Sequence, residues 1–241
     1  RSSPSTRTAR RRRVLIEWAR PTGAPVLPIS PIDLVAFVCF LACWIGYTVY
    51  SDRAAGKGDN LVSAMARQRE QWMRQMVGRD NRMVDVAIVR NLIRTSSFFA
   101  STSMLILAGL VTVLGATDKA VRVVATVPLV SELSLLQWEI RLLGLTLIFV
   151  YSFFKFTWSI RQLSYCSIQI GAMVPAAKAD ASCLARSDSI ARIATLAARH
   201  FNRGLRAYYF GVAFAAAFIH PIALIVSAVW VVLVLYRREF H

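Results

Sequence analysis

The sequence predicts an all-α membrane protein: four transmembrane helices with long amphipathic helical extensions. Three observations predict it. Residues 31–50, 95–115, 140–158 and 207–236 carry enough Leu, Val, Ile, Phe and Ala to sit in hydrocarbon, and a bilayer core takes about 20 such residues per helix. The chain is 56% hydrophobic with a mean hydropathy of +0.49, yet its formal charge is +16. The arginines gather between the apolar stretches, where headgroups would meet them. A soluble nucleic-acid binder shares the charge but not the apolar stretches, so no nucleic-acid partner is expected.

The chain divides into a basic N-terminal tail, 1–30, and a single four-helix membrane domain, 31–241. The tail holds the run Arg10 to Arg13, several Ser and Thr, and one acid, Glu17. That composition suits a disordered tail against anionic lipid; an organellar targeting remnant is the alternative. Pro21, Pro25, Pro28 and Pro31 punctuate the approach to the first span. Proline suits a helix's first turn, so that span starts near Pro31 to Asp33. It ends at the belt of Trp44, Tyr47 and Tyr50. Gly56, Gly58 and Asp59 read as a turn, with Asp59 or Asn60 as the next N-cap.

From Leu61 the pattern is amphipathic. Leu61, Met65, Trp72, Met76, Met83 and Ala87 share one side of a helix, and Arg67, Arg69, Arg74, Arg79 and Arg82 take the rest. Glu70 precedes Arg74 by four residues, the favourable order for an ion pair. No proline interrupts 61–127, so this helix is expected to run almost directly into the second span, with Gly78 as a flexure. In the second span Ser97 and Ser101 lie four apart and suit close helix packing. Ser131 and Glu132 read as the cap and first-turn acid of the third helix, which continues past Lys155, Trp158 and Arg161. Residues 171–188 read as a loop. A second amphipathic helix sets Ile190, Ile193, Leu196 and Ala197 opposite Arg192 and Arg199. It leads into 207–236, about 45 Å long if continuous, which must tilt or kink, and Pro221 offers the place.

Several ordered motifs now stand out. They are Trp72-Met73-Arg74-Gln75-Met76 with Arg79, Asn81, Arg82 and Asp85; 97–103 (SFFASTS); 153–162 (FFKFTWSIRQ); 201–210 (FNRGLRAYYF); and the closing Tyr236-Arg237-Arg238-Glu239-Phe240. Together they resemble the domain of unknown function 599 family across roughly residues 31–240. The resemblance implies a small, multi-pass helical protein with no established activity and no assigned catalytic residues.

Four crossings would place 51–94 and 159–206 on one face, with the tail, 116–131 and the C-terminus on the other. Counting positive charges near the span ends makes the two long connections cytoplasmic. Arg90, Arg94, Lys155, Arg161, Arg203 and Arg206 border spans on that face. The plain expectation is that they snorkel to lipid phosphates. The sharper one is a cationic ring that contacts an anion or anionic lipid headgroup, centred on Lys155 and with Asp85 as the nearest acid. Glu139 and His220 are the intramembrane polar candidates, each expected to bond another helix, with an ion path, ligand or proton-relay role as the alternative.

Chemistry-bearing motifs are sparse. Cys39 and Cys43 share a helical face, and a Cys166–Cys183 disulfide would need an oxidising compartment. His200, His220 and His241 are too far apart in sequence for one chain to pair them across a haem. There is no H-E-x-x-H and no G-x-S-x-G elbow. The expectation is therefore no enzyme: no catalytic residue, no metal and no cofactor. The leading reading is a non-catalytic oligomeric or accessory subunit of a membrane complex. Its partners would be lipids, especially anionic ones, and either further copies or a larger assembly. Its place would be the bacterial cytoplasmic (inner) membrane or, alternatively, an organellar inner membrane. The alternatives are an anion or small-solute channel or transporter at an oligomer interface, and a lipid-modifying enzyme.

Overall fold

The structure is a computed structural model that describes residues 30–57, 60–117 and 134–240. Six helices account for nearly all of them: α1 (Pro31–Lys57), α2 (Leu61–Val77), α3 (Met83–Leu114), α4 (Leu135–Gly171), α5 (Ala181–Phe214) and α6 (Pro221–Phe240). Among the described residues there is no strand. Four of the helices, α1, α3, α4 and α6, are long and apolar enough to cross a membrane. The helical fold class and the number of long apolar helices are as the sequence predicts; the first three coincide with the expected spans, and the fourth does not coincide with 207–236.

Capping sets several boundaries. Asn60 accepts from the Ser63 amide at 3.0 Å and starts α2, one of the two caps expected. Ser134 accepts from the Gln137 amide while the Gln137 side chain accepts from the Ser134 amide, which starts α4. The expected cap, Ser131 with Glu132, lies outside the described residues; the cap is Ser134. Asp180 accepts from the Cys183 amide at 3.1 Å and starts α5, so the loop expected over 171–188 is shorter, 172–180.

Two reversals differ from expectation. The amphipathic helix does not run on into the second span: α2 stops at Val77 with Gly78 as its C-cap, and α3 starts afresh at Met83. Side chains hold that turn in place. Arg82 donates to the carbonyls of Met173 and Val174 at 2.7 and 2.6 Å, and Asp80 accepts from the Ala176 amide at 2.9 Å. The second reversal divides 207–236, which is not one kinked span. α5 passes through a 3-10 turn at Ala215–Phe218, and α6 returns from Pro221. Ser227 on α6 donates to the Ala213 carbonyl on α5, and Glu239 meets Arg206. The two helices are therefore antiparallel, and α6 alone, at 20 residues, has the length of a bilayer crossing. Proline cannot donate to the preceding turn, and Pro221 sits where that loss costs nothing, in the first turn of a helix.

The helices build two stacked layers. In one, Phe40, Phe149, Phe210, Phe214 and Leu224 form a core among α1, α4, α5 and α6. In the other, Met73, Met76, Val89, Leu163, Cys166, Ile170, Ile190 and Ala194 form a second core among α2 and the outer halves of α3, α4 and α5. At about 1.5 Å per residue, the 32, 37 and 34 residues of α3, α4 and α5 are long enough to serve both layers. The expected stripe holds in the second half of α2, where Met76 is buried and Trp72 packs against the core alongside Met73 and Val77, whereas Leu61 and Met65, and Met83 at the start of α3, are exposed. That apolar side of α2 is used up in a helical bundle.

Between the layers α4 and α5 approach closely. A Cβ on Gly204 would come within 2.9 Å of the Phe156 ring. That ring is fully buried and packs against Phe99 and Phe201, so it has nowhere to go. Ser152 donates to the Gly204 carbonyl at 2.9 Å beside it.

Gly204→Ala should therefore cost about 1–3 kcal/mol by overpacking. Thermal unfolding in mild detergent should show a lowered midpoint, whereas Gly46→Ala, with open space around it, should leave the midpoint unchanged or raised. A topology reporter fused after His241 should lie on the same face as one placed in the 172–180 loop. A single 207–236 crossing would put them on opposite faces.

Candidate functional site

The most concentrated polar cluster sits where the two layers meet, at the ends of α1 and α6. Arg206 on α5 is 3% exposed. Its guanidinium meets Glu239 on α6 at 3.0 Å and Asp52 on α1 at 3.2 Å, and donates to the Ser51 hydroxyl at 2.5 Å. Ser51 in turn donates to Glu239. One turn earlier on α5, Arg203 grips Asp52 through Nε and Nη2 at 2.9 and 2.6 Å. The Tyr47 ring lies 5.7 Å from the Arg206 guanidinium carbon. Asn60, the cap of α2, also donates to the Ser51 carbonyl at 3.4 Å. Two arginines and two carboxylates thus balance, and the cluster ties α1, α2, α5 and α6 together. A buried arginine without such partners would be costly at this depth.

Two further ion pairs follow the same logic. Near the opposite end of the membrane layer, Arg141 on α4 meets Asp33 in the first turn of α1 at 2.7 Å and donates to the Ala217 carbonyl in the α5–α6 turn. In the outer layer Asp85 is fully buried; one oxygen accepts from the Trp72 indole and from Arg79, both at 2.7 Å. Glu70 and Asp188 both contact Arg74 on the surface, as the Glu70–Arg74 spacing predicts.

The six cations expected to form one ring divide. Arg203 and Arg206 are committed to carboxylates. Lys155 lies 5.0 Å from the centre of the Tyr151 ring, close to Arg203 in charge terms. Arg161 donates to the Tyr165 hydroxyl at 2.7 Å and stays exposed, as do Arg90 and Arg94 on α3. Arg206 is enclosed and cannot reach a lipid headgroup, so the single ring is corrected. Asp85 belongs to Arg79 and Trp72, and the acids of the cluster are Asp52 and Glu239. Glu139 is exposed; two residues further along its helix, Arg141 is the one that pairs with α1. His220 is at the exposed α5–α6 turn, where its Nδ1 accepts from the Ile222 amide at 3.1 Å, so it caps its own helix. On α3 the buried small residues are Ser96, Ala100 and Ser103. Ser97 is only partly covered and Ser101 is exposed, so the packing stripe lies about one residue from the one expected.

Among the other polar groups, His200 stands on the outer half of α5 near Lys155. Burial, then the charges of Lys155, Arg203 and Arg199, hold its imidazole below the usual histidine range. Cys166 and Cys183 are buried in the outer core as free thiols, not joined in a disulfide, and Cys166 donates to the Ile190 carbonyl. Among the described residues no three His, Cys, Asp or Glu side chains gather where they could hold a metal ion.

Sequence reasoning missed two separate groups: Ser51, Asp52 and Glu239 around Arg206, and the Asp33–Arg141 pair at the other end of the membrane layer. One signal was present: 13 acids face 29 Lys and Arg, so an acid at the end of an apolar stretch is a scarce counterion.

Long apolar helices, ion pairs that join them, and a helical bundle standing on the membrane layer define this chain as a polytopic helical membrane protein. It belongs to the family described as "Protein of unknown function, DUF599", whose pattern matches residues 35–241. Neither a curated protein nor a solved structure matches the chain.

Replacing Arg206 with Met should destabilise the protein by about 2–4 kcal/mol, because Glu239 and Asp52, both largely enclosed, lose a cation. Adding Glu239→Gln to that variant should recover part of the loss, giving a clear coupling in a double-mutant cycle read by unfolding in detergent. Additive losses would mean that the pair does not act as a clamp.

Proposed function

We propose that this protein is a non-catalytic accessory subunit of a membrane complex, one that docks a partner through its outer bundle. One observation carries the reading. Val84, Ile88 and Leu92 recur every four residues on the outer half of α3 and are 65%, 42% and 41% exposed. They belong to neither core and lie before 95–114, the part of α3 long enough to cross the bilayer. A contiguous apolar stripe outside both hydrocarbon and core is what a partner helix covers. Arg90 and Arg94 border the stripe and are exposed. With a chain charge of +16, they favour a partner helix flanked by Asp or Glu over a second copy of this chain.

The alternatives have less behind them. A solute channel would draw on the cations of the cluster, but Arg203 and Arg206 are already neutralised by Asp52 and Glu239. A lipid-modifying enzyme would need an activated nucleophile; the Ser51 hydroxyl does meet a carboxylate, Glu239, but that carboxylate is paired with Arg206, which also donates to Ser51. In this reading the outer bundle is cytoplasmic. The α5–α6 reversal adds Arg237 and Arg238 to the face that holds Arg203, Arg206, Arg90 and Arg94, which strengthens the charge asymmetry. The membrane is the bacterial inner membrane, with an organellar inner membrane as the alternative.

A photoactivatable residue at position 88, crosslinked in native membranes, should yield an adduct with a second polypeptide through an apolar segment flanked by acids. An adduct with this same chain would replace the accessory role by homo-oligomerisation. Adducts to lipid alone would refute docking at this face.

A further inference from the structure

A slot opens between α1 and α4 at the end of the membrane layer furthest from the outer bundle. Its volume is about 420 Å³, within the range of sites that bind small ligands. Leu34 and Phe37 form one wall and Leu147 the other, with Phe214 and Leu224 at the floor. Along α4 the lining runs from Gln137 to Leu147, about 15 Å at the helical rise. Deeper in the layer, Trp44 on α1 packs edge-on against Tyr151 on α4 at 5.8 Å and bridges the two helices. The slot is thus closed at its inner end and open sideways. Leu34, Leu143 and Leu147, which flank the opening, are 57%, 51% and 61% exposed on helices of membrane-crossing length.

The outer end has a different character. Asp33, Gln137 and Arg141 line it, and it lies beside the α5–α6 turn, where the helices reach the membrane surface. Arg141 spends one Nη on the Ala217 carbonyl and the other on Asp33. A guanidinium carries five N–H donors, so these two bonds do not exhaust it. Asp33 balances its charge, so the mouth is a neutral hydrogen-bonding site rather than an anion trap.

We propose that this slot holds one bilayer phospholipid, with an acyl chain between α1 and α4 and its phosphodiester oxygens accepting from Arg141. The sideways opening lies between two helices of membrane-crossing length and composition, where hydrocarbon would face it, and its walls are apolar from Leu34 and Phe37 to Leu147. The neutral mouth makes the site indifferent to headgroup charge: phosphatidylcholine and phosphatidylglycerol occupy it alike. This separates it from the exposed cations Arg90, Arg94 and Arg161 at the other end, which would favour anionic headgroups. The slot is independent of the docking face on α3.

The test uses the full chain in vesicles that contain phosphatidylcholine with a photoreactive group on its acyl chain. Adducts should concentrate on 34–37 and 140–147. Leu147→Trp, which fills the slot from an exposed wall position, should lower that labelling about tenfold by removing the apolar contact. Leu105→Trp, at an exposed position on α3, should leave it unchanged. Unlabelled phosphatidylglycerol and phosphatidylcholine should compete equally. Uniform labelling of all lipid-facing helices, or an L147W protein labelled like the parent, would overturn the site. Strong preference for phosphatidylglycerol as competitor would overturn the neutral mouth. Retention of signal in Leu147→Trp cannot be put down to misfolding, and a loss shared by Leu105→Trp would count against a local slot.

Discussion

The enclosed arginine at position 206 organises the molecule. A guanidinium at the edge of hydrocarbon keeps its charge, so the fold has to supply carboxylates at the same depth. It does so from two helices far apart in sequence, with Asp52 at the end of α1 and Glu239 at the end of α6. Meeting that demand requires α6 to finish beside α1. The chain must then reverse after α5, and the turn at Ala215–Phe218 with Pro221 behind it is how it does so. The direction of the last helix, and with it the face on which Arg237 and Arg238 emerge, follows from one buried charge seeking its counterions.

The second constraint is steric. Phenylalanine rings on one helix of the α4–α5 pair lie against glycines on the other: Phe156 against Gly204, Phe149 against Gly211 and, in the opposite sense, Phe214 against Gly144. Such pairs let two long helices run side by side through both layers at short distance. Because α3, α4 and α5 are continuous across the boundary, the outer bundle is built on the membrane bundle without a flexible joint between them. A partner bound to the outer half of α3 would therefore bear on a stiff element that reaches into the bilayer.

Charge has two separate uses here. Arg206, Arg203 and Arg141 are enclosed or half-enclosed, pair with carboxylates and serve architecture. Where arginines are exposed, as Arg90, Arg94 and Arg161 are, they border apolar or aromatic side chains and remain available to a headgroup or an acidic partner. A count of basic residues near span ends cannot separate the two, because it gives a clamped guanidinium and a free one equal weight.

The sequence by itself determined the solvent and the local structure. Hydropathy and length put helices in hydrocarbon, and the Asn60 cap, the Pro31 start and the Glu70–Arg74 pair were legible, because each depends only on residues a few positions apart. Tertiary structure decided what depends on distant pairings. It selected Ser96, Ala100 and Ser103 over Ser97 and Ser101 as the packing face of α3, since a rotation of one residue changes local periodicity very little but reassigns every contact. It gave Arg206 to Asp52 and Glu239, Arg141 to Asp33, and Asp85 to Trp72 and Arg79. It also turned one apparent 30-residue span, 207–236, into two antiparallel segments. An apolar run records how favourably it is buried, and it contains no information about which way the chain is travelling while buried.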